Sequence, residues 1–127
     1  MRVGINGRLD TLQAAHRYSA LLDNDFFPVI PPRVPENRTS VWAQYSVLAR
    51  DEKHRSDLQC RLKEADIPTA IYYPKPLHLQ TAFSYLGYKE GDFPISEDCA
   101  SKIFSLPMHP YLQKKDQELI AEKIGSK

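Results

Sequence analysis

The chain has 127 residues, 42% hydrophobic and 26% charged, which suits one compact globular domain and leaves too little for two. Seventeen basic side chains against sixteen acidic ones give a net charge of +1, without the lopsided balance that nucleic-acid or anionic-membrane binding leaves in a sequence. No apolar run approaches the roughly 20 residues of a membrane helix, and no charged head with an apolar signal core opens the sequence, so the expectation is a soluble protein.

In chain order, "MRVGINGRLD" brings Gly4, Asn6 and Gly7 before any apolar periodicity and reads as a loop. From Asp10, a candidate N-cap, the residues Leu12, Ala15, Tyr18 or Ser19, and Leu22 recur at helical spacing and predict a helix to about Leu22. "FFPVIPPRVPENRTS" holds four prolines and reads as an irregular connection. In "SVWAQYSVLA" the set Val41, Ala43, Tyr45 and Val47 alternates with Trp42, Gln44, Ser46 and Leu48, the pattern of a strand with one apolar and one mixed face.

"RDEKHRSDLQCRLKEADI" places Leu58, Arg61, Leu62 and Ala65 at helical spacing, with acidic residues near the start where the helix dipole favours them. "PTAIYY" then predicts a short strand and, with the preceding strand and helix, a β-α-β start. "IYYPKPLHLQ" leaves that strand with φ fixed at Pro74 and Pro76, which gives Tyr72, Tyr73 and His78 defined directions. Two readings stand for this stretch: a strand end with tyrosines packed over an edge, or a stiff loop that holds polar groups toward a ligand.

"LQTAFSYLGY" predicts a short helix, and "SEDCASKIFSLP" a helical turn or two behind Ser96 as N-cap. "QKKDQELIAEKIG" closes as an amphipathic helix with Leu119, Ile120 and Ile124 inward and Gly125 as its stop.

The chemistry is sparse. Cys60 and Cys99 lack the close Cys/His spacing of a zinc site and read as free thiols of a reducing cytoplasm. No metal site is expected, and no nucleophile motif, Walker loop, dinucleotide fingerprint or HExxH pair occurs. In "GINGRLD" the Asn6 amide and the Arg8 guanidinium precede a helix, a place for a phosphate or carboxylate, or simply a turn. His109 lies beside a proline and reads as a structural imidazole; His16 and His54 fall on predicted helices as surface or partly buried residues.

Four blocks occur in order: "GINGRLDTLQAA", "SVWAQYSVL", "IPTAIYYPKPLHLQTAF" and "FPISEDCASKIFSLPMHPYL". Together they resemble the C-terminal part of the DegT/StrS family of pyridoxal-phosphate-dependent sugar-nucleotide aminotransferases. The resemblance implies an α/β (α+β) fold with a small antiparallel sheet covered by helices, similar to the C-terminal domain of fold-type I aminotransferases. It implies one small domain over residues 1–127, with an interface loop and helix start at 1–15 and a sheet-and-helix core at 39–127. It also implies transfer of an amino group from glutamate to a keto sugar nucleotide, in the synthesis of cell-surface polysaccharide or glycan precursors.

Site roles follow from the same resemblance. Asn6 matches a residue that reaches the cofactor phosphate of the neighbouring subunit, and Arg8 matches one that faces the substrate. Tyr72, Tyr73 and His78 are expected on the substrate side, and the alanines Ala14 and Ala15 against a large domain. The partners implied are sugar nucleotide, glutamate, and a homodimer mate or complementary large domain, with no nucleic acid and no membrane.

The family's Schiff-base lysine and the acidic partner of the pyridine nitrogen have no match here, so no catalytic residue is expected and this chain alone should bind no pyridoxal phosphate. Roughly 20 residues of helix, about five turns, look absent between Ala15 and His16, which reads as a truncated and internally shortened copy, a fragment, or a subset of a longer protein. Two alternatives stay open, a non-catalytic interaction or regulatory module and a degraded gene product. In all cases an uncovered apolar face is expected, with Leu12, Trp42, Phe83 and Phe104 as candidates.

Overall fold

The structure is a computed structural model that describes residues 7–25 and 27–126. Helix α1 spans Gly7–Leu22, β1 Tyr45–Leu48, α2 Glu52–Glu64, α3 Pro94–Lys102, β2 Ile103–Leu106 and α4 Lys114–Gly125, with short 3-10 turns at Leu77–Leu79 and Thr81–Leu86. The fold class is as expected: an antiparallel pair of strands covered by helices.

Both strands have four residues, in the register Tyr45↔Leu106 to Leu48↔Ile103. The alternation read from residue 40 onward produces a strand only where a partner exists. Leu106 is followed by Pro107, which has no N–H to extend the ladder, so Val41 has nothing to pair with and stands 93% exposed. Tyr45 and Val47 keep their expected inward direction and are fully buried.

Single bridges extend the pair on both sides. Ile30 exchanges backbone hydrogen bonds with Leu48 at 2.9 and 3.0 Å, and Ala70 does so with Ser105 at 2.7 and 3.2 Å. The strand expected over "PTAIYY" is thus one bridge at Ala70, bounded by Pro68 and Pro74. Because Ala70 and β1 both run antiparallel to β2, the expected β-α-β unit is present in split form, with β2 between its two arms.

Helix α2 is capped by Asp51, whose carboxylate accepts the His54 N–H at 2.7 Å. Leu58 and Leu62 bury its inner face, and the Arg55 guanidinium crosses to donate to the Ala100 carbonyl at 2.8 Å. Arg61 donates to the carbonyls of Lys123 and Ser126 at the end of α4, where the helix dipole makes a cation favourable. Helix α4 begins with a capping box of Gln113 and Asp116 and buries Gln117, Ile120, Ala121 and Ile124, one stripe at helical spacing. Leu119 lies off that stripe and is exposed, a correction to its expected inward direction. Gly125 is the last helical residue rather than a stop beyond it, and a Cβ there would meet the Phe27 ring at 3.3 Å.

The stretch "SEDCASKIFSLP" divides differently from expectation. Helix α3 starts earlier, with Pro94 at the first helical position and Phe93 as the capping residue, so Ser96 lies inside it. Its end then straightens into β2, whose Phe104 is completely buried and therefore belongs to the core rather than to an uncovered face.

The core also begins earlier than residue 39. Ala14, Ala15, Tyr18 and Leu22 of α1 are buried in it with Val29, Tyr45, Phe104 and Ile124. Ala14 and Ala15, expected against another domain, pack within this chain, where the Gln117 side-chain amide of α4 donates to the Ala14 carbonyl at 2.7 Å. Tyr18 donates its hydroxyl to the Pro107 carbonyl at 2.9 Å and lies 4.9 Å, ring to ring, from Tyr45. Trp42 also packs against Tyr45, ring to ring at 5.4 Å, and is half-buried, as are Leu12 and Phe83.

Candidate functional site

The proline-stiffened segment after the Ala70 bridge opens a cleft of about 590 Å³ against α3. Its rim carries Tyr72, Tyr73, Lys75 and Gln80, and its wall Ser96 and Cys99. Tyr73 is 70% exposed and Tyr72 is also exposed, their rings edge to face at 6.2 Å. Neither tyrosine packs into the core, and their exposed position at the end of the Ala70 bridge is compatible with both readings of "IYYPKPLHLQ".

His78 faces the other way. Its side chain is 8% exposed, and Nε2 donates to the Glu97 carboxylate at 2.9 Å. Glu97 also accepts the Gly91 N–H on both oxygens, at 3.0 and 2.9 Å, and the Phe93 N–H at 3.3 Å. The Gly91 amide above all, opposed next by burial and then aided by His78 and Phe93, holds the Glu97 carboxyl below its ordinary range. Sequence reading passed over Glu97; the available signal was a glutamate three residues after a helix-opening proline.

Asn6 lies outside the described residues, and Arg8 falls in the first turn of α1. Hence the structure brings Tyr72 and Tyr73 together on one cleft and places His78 behind it. His109 is exposed in a turn closed by Leu112 N–H to its carbonyl, and His16 is exposed on α1. His54 accepts the Arg50 N–H on Nδ1, and partial burial with the Arg50 charge lowers its pKa.

The cleft does not have the donor set that pyridoxal phosphate requires. It contains one lysine, Lys75, exposed on the prolyl turn, and no carboxylate lines it to pair with a pyridine nitrogen. Among the described residues no group of three His, Cys, Asp or Glu side chains is arranged to hold a metal ion, and no helix is long and apolar enough to cross a membrane.

Residues 7–125 match the DegT/DnrJ/EryC1/StrS aminotransferase family. The chain belongs to that family. It is 38% identical, over 97% of its length, to the "pleiotropic regulatory protein" of Geobacillus stearothermophilus. It is 35% identical, over 98% of its length, to the UDP-2-acetamido-2-deoxy-3-oxo-D-glucuronate aminotransferase of Pseudomonas aeruginosa. In both cases it spans 38% of the relative. Among solved structures, a DegT DnrJ EryC1 StrS aminotransferase from Brucella abortus superposes with a TM-score of 0.79 at 40% identity, over 94% of this chain and 30% of that one. Streptomyces venezuelae DesV shares the fold with a TM-score of 0.84 at 24% identity, again over 94% of this chain.

The alignment with the Geobacillus protein runs over 144 positions and that with the Pseudomonas enzyme over 142, against 127 residues in this family member. Each relative thus carries at least 15 positions within the matched region that this chain lacks (142 − 127). Internal shortening was the sequence expectation. Helix α1 nevertheless runs unbroken through Ala15 and His16, with one buried stripe on either side of that junction.

Proposed function

We propose that this chain forms the small-domain part of a pyridoxal-phosphate-dependent aminotransferase that moves an amino group from glutamate to a keto sugar nucleotide. The carrying observation is the family match across residues 7–125. The substrate class is supported by relatives named for nucleotide-sugar amination, such as the Pseudomonas enzyme and a dTDP-3-amino-3,6-dideoxy-alpha-D-galactopyranose transaminase of Aneurinibacillus thermoaerophilus, 31% identical to this chain.

In the assembled enzyme Tyr72 and Tyr73 line the substrate side from the exposed rim of the cleft, and His78 contributes through the loop it anchors. Asn6 reaches the cofactor phosphate of a neighbouring subunit and Arg8 faces the substrate, roles that suit an amide donor and a guanidinium fork. The cofactor itself, supplied with its lysine by a large domain, acts as the electron sink. Cys60 and Cys99, both free thiols, fit the cytoplasm as the working compartment.

The chain alone is expected to show no Schiff-base absorbance with pyridoxal phosphate and no glutamate-dependent amination. A stoichiometric, borohydride-trappable adduct at one lysine together with turnover would refute this. When a family cofactor domain is supplied and turnover appears, Asn6→Ala should weaken cofactor retention and Arg8→Ala should raise KM, each by about tenfold, the cost of one lost hydrogen-bonded contact to an anion. If both values stay unchanged, "GINGR" is only a structural turn.

A second reading, an interaction module without catalysis, is favoured by one observation, the regulatory name of the Geobacillus relative. Failure of every family cofactor domain to restore turnover would favour it. Under either reading a partner should cover the apolar side chains now in solvent, among them Val41, Tyr85, Ile95 and Tyr111. The isolated chain should therefore self-associate, with scattering mass and melting temperature that rise with concentration. A monomer with a concentration-independent melt would show the surface to be self-sufficient.

A further inference from the structure

Ile71 packs against the core, but between it and Ala100 no hydrophobic side chain is buried, so the core does not hold the long excursion over residues 72–93. What holds it is concentrated on one carboxylate. From the first turns of α3, Glu97 takes hydrogen bonds from His78 at one end of the excursion and from Gly91 and Phe93 at the other. The His78 ring lies 4.8 Å from the Phe93 ring, which meets Tyr88 at 5.1 Å, and together with Phe83 and Leu86 they line an open apolar pocket of about 330 Å³. Leu77 and Ser96 line both this pocket and the tyrosine cleft, so the two spaces share a wall.

We propose that Glu97 is a positioning residue that clamps residues 77–93 onto α3 and thereby sets the shape of the tyrosine cleft. That the cleft serves substrate rests on the function proposed above; the clamp itself rests on the geometry. Hydrogen bonds to an ionised acceptor are the strong ones, and three of the donors' four contacts come from backbone amides that have no other role in holding the excursion. The carboxylate is also two-sided: one oxygen serves His78, Gly91 and Phe93, the other Gly91 alone. An amide in its place keeps one acceptor and loses the other.

The test compares Glu97→Ala and Glu97→Gln with the parent chain, free of ligand. Amide exchange at Gly91 and Phe93 should accelerate by about tenfold or more in Glu97→Ala and by less in Glu97→Gln, while Leu48, paired with Ile30 across the sheet, keeps its protection. Cys99, half-buried in the cleft wall, should alkylate several-fold faster with iodoacetamide, and the exposed Cys60 should serve as an unchanged control. Unchanged exchange at Gly91 and Phe93 would overturn the clamp, and so would equal acceleration at Leu48, which would make Glu97 a general contributor to stability. Since no substrate takes part, the outcome is separate from the functional reading: a clamp that behaves as stated, with Tyr72→Phe and Tyr73→Phe silent in the assembled enzyme, would sink the cleft's role and leave the clamp standing.

Discussion

Phe104→Ala is expected to lower the stability of this chain by about 3–5 kcal/mol, the cost of emptying a fully buried aromatic site. Phe104 has no exposed surface and sits opposite Val47 in the ladder, in contact with the core built from α1, α2 and α4. Total stabilities of about 5–15 kcal/mol are usual, so the loss is a large fraction of what holds the fold. The half-buried Trp42 beside Tyr45 gives a fluorescence signal for urea unfolding. Glu36→Ala, at an exposed residue of the loop before β1, should change stability by no more than about 0.5 kcal/mol and is the control. A loss below about 1 kcal/mol for Phe104→Ala would mean that β2 does not bury this ring.

A cooperative alkaline unfolding transition is the second large effect expected. Burial pushes the Tyr18 hydroxyl far above its ordinary value, with Tyr45 and Asp116 adding to it. Burial also raises Tyr45, against the opposing hydrogen bond from Ser19 and with a further push from Asp23. A phenol whose pKa is higher folded than unfolded stabilises the fold fully below its unfolded value, near 10, and loses that contribution as pH rises toward the folded value. Tyrosinate absorbance and loss of helical circular dichroism should therefore coincide above about pH 10. Tyr18→Phe removes the hydrogen bond to Pro107 and should cost about 1 kcal/mol at neutral pH, yet move the alkaline midpoint upward. Smooth titration of all tyrosines with no change in helicity would refute the coupling.

Several elements were legible from local pattern because their signal is repeated along the chain. In α2 and α4 the apolar spacing sets the helices, and Leu58, Leu62, Ile120 and Ile124 are buried as their phase requires. The irregular connection before β1 was legible too, because its four prolines restrict the backbone locally whatever the rest of the chain does. The four ordered blocks likewise carried the family without any coordinate.

Other features exist only through partners distant in sequence. "IFSL", three apolar residues around Ser105, continues a helical pattern as well as it makes a strand, and pairing with Tyr45–Leu48 on one side and Ala70 on the other decides the matter. The same absence of a partner shortens the strand expected from residue 40, where a good alternation meets Pro107 instead of a ladder. Leu119 and Phe104 exchange their expected exposures because an apolar side chain is buried by the neighbour that covers it, and α4 and β2 present different stripes to that neighbour. The Glu97 clamp joins positions 19 residues apart, and its geometry arises only when α3 folds back against the excursion. Sequence alone thus determined most of α1, α2, α4 and the family, where the cause is local or repeated along the chain; the tertiary structure decided strand extent, the bounds of α3, facing and the inward turn of His78, where the cause is a contact that pattern along the chain does not encode.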